Sequence, residues 1–99
     1  MTLLEQINQI ADQEPKNLTQ QTLKLMEEVG EAAQALLSSQ GASGSGYKGL
    51  TTQNTQEEFV DVLLVTLAIL RKLQPDQAIT DQLIQQKVAK WAAKQTANN

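Results

Sequence analysis

The twelve residues FVDVLLVTLAIL, Phe59 to Leu70, decide the fold. Ten of them are apolar, and the exceptions are Asp61 and Thr66. The run does not alternate, so it is not a half-buried strand, and it is too short to span a bilayer. A helix that is apolar all round is covered on all sides. Three further helices from a chain of 99 residues can scarcely cover it, so a second copy of the chain is expected to do so. The predicted helix runs from about 56 to 74, opened by Thr55 and closed by Pro75.

Working outward, a second helix is predicted over about 18–39. Leu18, Leu25, Met26, Val29, Ala33, Leu36 and Leu37 supply its apolar periodicity. Gly30 inside it costs about 1 kcal/mol against Ala and marks close packing against another backbone. A first helix is predicted over about 3–14, with Thr2 and Glu5 as a capping box and Pro15 as its stop. Leu3, Ile7, Ile10 and Ala11 share its apolar face. A fourth covers about 77–95, with Ile79, Leu83, Ile84, Val88 and Trp91 on one side. Between the second and third lies a Gly- and Ser-rich loop, about 40–54, longer than an ordinary connection. The expected architecture is therefore all-α: a single domain, 1–99, forming a four-helix, bundle-like protomer. It assembles through its apolar central helices into a dimer or a dimer of dimers.

Composition excludes several classes of chemistry. The formal net charge is −3, and the eight Lys and Arg are scattered, which argues against a nucleic-acid partner. There is no cysteine and no histidine. Disulfides, thiolate metal sites, Cys nucleophiles and His general bases are all ruled out. The N-terminus lacks the basic and apolar segments of a signal peptide. A cytoplasmic location without a membrane partner is expected.

Two acid clusters remain: Glu27, Glu28 and Glu31 in EEVGE, and Glu57, Glu58 and Asp61 in EEFVD. Residues three or four apart share a helix face, so Glu28 projects with Glu31 and Glu58 with Asp61. Like charges at that spacing destabilise a helix, and two such pairs facing each other repel further. A divalent cation reverses that sign. Oxygen ligands without His or Cys point to Mg²⁺ or Mn²⁺ rather than Zn²⁺. A plainer role also exists. Glu57 and Glu58 suit the first turn of a helix capped by Thr55, and Glu27 and Glu31 can sit on a solvated face pairing with Lys24.

At these residues the chain resembles the MazG family of the all-α NTP pyrophosphatase superfamily. That family carries Glu-Glu-x-x-Glu on one helix and Glu-x-x-Asp on the next. Glu27, Glu28 and Glu31 match the first motif, and Glu58 and Asp61 the second. LKLMEEVGEAAQALL and EEFVDVLLVTLAIL extend the likeness over roughly Leu18 to Leu73, and the fourth helix fits loosely. The resemblance implies Mg²⁺-dependent cleavage of a nucleoside triphosphate to the monophosphate and pyrophosphate, in the manner of nucleotide-pool house-cleaning. It implies Glu28, Glu31, Glu58 and Asp61 as metal ligands, with Glu27 or Glu57 as outer base or orienting group. Lys87, Lys90 and Lys94, on one face of the fourth helix, become candidates for triphosphate contact; a solvated lysine stripe is the alternative. Lys24 joins the substrate-binding candidates. Trp91 stands where many relatives carry an Asn; it is a candidate for base stacking or else part of a core or interface. Tyr47 and Lys48 are candidates for a lid over nucleotide, although the loop lacks a P-loop ending. Phosphoribosyl-ATP pyrophosphohydrolase shares the acidic helices, but as its pattern reads it has a shorter linker and a His in the third helix. A helical interaction module without activity is the reading from a different class.

Overall fold

The computed structural model describes residues 1–41 and 51–97. It places four α-helices: α1 Leu3–Ala11, α2 Leu18–Ser39, α3 Thr52–Leu73 and α4 Gln77–Ala97. No strand occurs among the described residues, and no described helix is long and apolar enough to cross a membrane. The all-α expectation holds, and the bounds of α2 agree with the sequence reading.

The other boundaries shift for local reasons. The Thr2 side chain accepts from the Glu5 N–H at 3.1 Å and starts α1. The helix then ends at Ala11 rather than 14. The N–H groups of Gln13 and Glu14 reach back only three residues, to Ile10 and Ala11. Pro15 disfavours the α conformation in the residue before it, so the chain tightens into a turn. α2 opens with a reciprocal capping box between Asn17 and Gln20. It closes into Gly41, whose φ of +70° is the left-handed conformation that glycine adopts without penalty.

α3 begins four residues before the predicted start. Thr51, not Thr55, is its cap, paired reciprocally with Asn54. Thr55 lies inside the helix and is buried, its hydroxyl 3.2 Å from the Thr51 carbonyl and 3.5 Å from Ser39 Oγ. The first-turn role expected for Glu57 and Glu58 therefore falls away. α4 continues to Ala97, past the expected end near 95.

α2 and α3 lie antiparallel and form the main packed pair. Ser39 meets Thr55 at one end; the Lys72 ammonium donates to the Lys16 carbonyl, just before α2, at the other. The face that α2 buries is Gln21, Glu28, Ala32, Ala35 and Ser38. Ala32 and Ala35, each 1% exposed, are the buried hydrophobic side chains among the described residues. This overturns the apolar face read from the sequence. Met26 is 67% exposed, and Val29, Ala33, Leu36 and Leu37 also face outward. Small and polar side chains are the most buried part of this face, Leu18 and Leu25 are half-buried, and the other large apolar side chains of α2 are exposed. Gly30 is corrected likewise: a Cβ built there meets nothing within 4 Å, so no backbone among the described residues packs against it.

α1 packs across α3, leaving a groove of about 280 Å³ lined by Ile7, Ile10, Ala11, Glu14, Leu64, Val65 and Ala68. Arg71 clamps the end of α1 with a fork on Asp12, Nε to Oδ1 at 2.8 Å and Nη2 to Oδ2 at 3.0 Å. Part of α3 stays uncovered: Phe59 is 51% exposed, with Val60 and Leu63 also exposed, while Val62 and residues 65–71 are half-buried. α4 does not close a bundle with the other three. The Asn8 side-chain amide donates to Gln77 Oε1 at 3.1 Å, and Thr80 is buried, but residues 81–97 are all exposed. The radius of gyration is 16.5 Å, against about 13 Å for a compact domain of this length.

Candidate metal centre

The antiparallel pairing of α2 and α3 sets Glu28 and Glu31 opposite Glu58. Glu28 falls on the buried face because it is one turn from Ala32 and two from Ala35, on the side turned toward α3. It is 7% exposed, Glu58 is half-buried and Glu31 is exposed. One carboxylate oxygen from each of the three lies within 4.8 Å of the others.

Each carboxylate has a different environment. The Lys24 ammonium sits 3.0 Å from Glu28 Oε1 and 3.8 Å from Glu27 Oε2. That pairing holds the Lys24 ammonium above its ordinary range, through the hydrogen bond to Glu28 first and then the charge of Glu27. Glu28 Oε2 is buried and has no hydrogen-bond partner. Glu58 Oε2 is also buried without a partner. The Glu58 carboxyl is pushed above the usual carboxylate range, first by burial, then by the charges of Glu31, Asp61 and Glu28.

Two buried acceptor oxygens without donors, in a group of three acids, are costly unless something positive sits there. A proton on Glu58 relieves part of that cost. A hard divalent cation relieves more, because it takes several carboxylate oxygens at once. The donor set is all oxygen and carries no soft ligand, so it fits Mg²⁺ or Mn²⁺ in type, though it does not select between them.

The remaining candidates are placed as follows. Asp61, one turn along α3 from Glu58, is exposed and contributes negative charge to Glu58, but lies outside the three-oxygen group. Glu27 is exposed, and Glu57 is exposed with its Oε1 3.4 Å from Gln53 Nε2. Lys24 is engaged by the acids rather than open to solvent on all sides. Lys87, Lys90, Trp91 and Lys94 are exposed on α4, with Trp91 at 64%. α4 leaves from the far end of α3, about 22 Å along the helix from Glu58 at 1.5 Å per residue. Tyr47 and Lys48 lie outside the described residues. Sequence reasoning passed over Gln21, which is buried two turns before Glu28 on the same face; its amide donates to the Lys16 carbonyl at 2.8 Å while its Oε1 has no partner. Its seven-residue offset from Glu28 was the available signal. Comparison with family models, with curated proteins and with solved structures gives no match.

Proposed function

We propose that the chain is a Mg²⁺-dependent nucleoside triphosphate pyrophosphohydrolase, with Mn²⁺ as an alternative ion, working as a homodimer or homotetramer. The observation that carries this reading is the carboxylate group of Glu28, Glu31 and Glu58 with its two unpartnered buried oxygens. These three residues would hold the cation, and Asp61 is the nearest further acid on α3. The bound cation would supply charge neutralisation for the triphosphate and a lowered pKa for coordinated water.

The side chains of the chain supply the rest. Lys24 pairs with Glu28 Oε1, while Glu28 Oε2 is buried without a partner and would be available to the cation. Glu27 and Glu57, both exposed, would be the candidates to accept a proton from the attacking water. Lys87, Lys90 and Lys94 offer positive charge for the phosphates and Trp91 a face for the base. They reach a site only where copies assemble or α4 swings in, because α4 stands clear of the acids within one chain. The uncovered apolar surfaces of α3 and α4 favour assembly.

The test is pyrophosphate release across ribo- and deoxyribonucleoside triphosphates, damaged bases and phosphoribosyl-ATP, each with and without Mg²⁺. The expected result is metal-dependent release from at least one triphosphate, abolished by Glu31→Gln and by Asp61→Asn while the assembly state is kept. Turnover confined to phosphoribosyl-ATP would reassign the substrate. No pyrophosphate from any substrate, with copies still assembled, would make the chain an interaction module instead.

A further inference from the structure

The outer face of α2 carries a second pattern, independent of the nucleotide reading. Thr19, Leu23, Met26, Gly30, Ala33 and Leu37 follow one another at spacings of 4, 3, 4, 3 and 4, and all six are exposed. That is the seam of a helix that pairs with another helix in a left-handed coil. Among the described residues this face is left exposed, since α3 packs against the opposite side of α2.

The seam also says which helix it fits. Its spacing is palindromic about residue 28. In an antiparallel pair of two α2 helices, Leu37 faces Thr19, Leu23 faces Ala33, and Met26 faces Gly30. Every large side chain then meets a small one, as interdigitated packing requires. An isologous contact has this property, because residue i meets j wherever j meets i. A shallow depression of about 260 Å³ lined by Leu18, Thr19, Thr22 and Leu23 lies where the arriving Leu37 would sit. Gly30, open within the chain, becomes the hole for Met26. On one flank Val29 and Leu36, both exposed, add apolar contact. On the other, Glu27 faces its own copy, and Lys24 at 3.8 Å offsets that repulsion only in part.

We infer that the outer face of α2 is a self-association surface, on which two copies of the chain pair antiparallel about the level of Glu28, with Met26 of each copy seated over Gly30 of the other. The seam is smaller than the roughly 800 Å² per partner of a standard interface, so the pairing is weak when it acts alone and adds to any contact made by α3.

The test exchanges knob and hole. Leu23→Ala removes the large side chain from both symmetric layers and weakens self-association by about tenfold or more. Ala33→Leu sets Leu against Leu and also weakens it. The double variant Leu23→Ala with Ala33→Leu restores it, because each layer again holds one large and one small residue. Glu27→Gln tightens it. Dissociation constants come from sedimentation, with circular dichroism to check that helix content is kept. Thiol cross-linking gives a second readout, since the chain has no cysteine. A Met26→Cys chain mixed with a Gly30→Cys chain forms mixed disulfides in excess over either self-disulfide. The inference is overturned if the double variant is as impaired as the singles. It is equally overturned if Met26→Cys links mainly to itself, as a parallel pair would, or if the chain stays monomeric at high micromolar concentration.

Discussion

A specific cation site has a consequence for stability that does not depend on knowing its affinity. A ligand that binds the folded chain alone stabilises it by RT ln(1 + [L]/Kd). Once the cation exceeds its Kd, each further tenfold adds about 1.4 kcal/mol per bound ion. For a domain of this size that corresponds to a rise in Tm of roughly 6–11 °C per decade of Mg²⁺. Among the described residues the structure supplies one group of three carboxylates, which sets the expected slope at one ion; a slope twice as steep would report two. The assay is thermal unfolding across four decades of MgCl₂ at constant ionic strength, with calcium and sodium series beside it. Glu58→Gln removes one of the two unpartnered oxygens' charges and is expected to shift the onset to higher Mg²⁺. Glu31→Gln with Glu58→Gln together are expected to flatten the response. A flat response in the unaltered chain refutes the reasoning. So does a slope unchanged in the double variant, because the cation would then be stabilising the fold through surface charge alone.

Other perturbations test the same picture from different sides. Gly30→Ala in the isolated chain is expected to stabilise it by about 1 kcal/mol, since a better helix former replaces Gly and its Cβ meets open space. Gly41→Ala is expected to cost about 1–2 kcal/mol at a φ of +70°. Urea unfolding at low protein concentration separates the two signs. Without metal, the raised carboxyl of Glu58 binds its proton more tightly in the folded state. Its contribution is present below the unfolded pKa and is lost as pH rises through the folded one. Asp12, held below its ordinary range by the hydrogen bond from Arg71, acts in the opposite sense and loses its contribution as pH falls. The difference between the unaltered chain and Glu58→Gln is therefore expected to widen on going from acid to neutral pH in chelator, with the variant the more stable. Mg²⁺ is expected to reverse that order. A pH-independent difference would remove Glu58 from the acidic group.

Much of the fold was legible because helices leave strong local marks. The course of α2 followed from its periodicity, and Glu28 and Glu31 could be set on one face from their i, i+3 spacing, while Asp61, paired with Glu58 on the same ground, lies outside the three-oxygen group. The start of α3 was not legible. Thr51 and Thr55 are both good caps, and only the burial of Thr55 against Ser39 decides between them. The inner face of α2 was misread for a related reason. Hydrophobic periodicity assigns the largest apolar residues to the core, whereas the buried residues of α2 are Gln21, Glu28, Ala32, Ala35 and Ser38. The acid that turns inward is Glu28, which shares the small-residue face, whereas Glu27 stands 100° away.

That misreading carries the physical link between packing and site. Close approach of α2 and α3 through alanines is what brings Glu58 among the carboxylates of Glu28 and Glu31. A pair spaced by leucines would hold the helices apart, since interaxial distance follows the size of the side chains at the contact. The large apolar residues displaced from that contact then face outward on both helices, at Met26, Leu37, Phe59 and Leu63. The contact that brings the three acids together therefore leaves large apolar side chains exposed, and these are the surface on which the proposed self-association would act. Replacing Ala32 and Ala35 by Leu separates the two effects. The wider pair is expected to lose the steep response to Mg²⁺ while its outer faces, and with them self-association, remain.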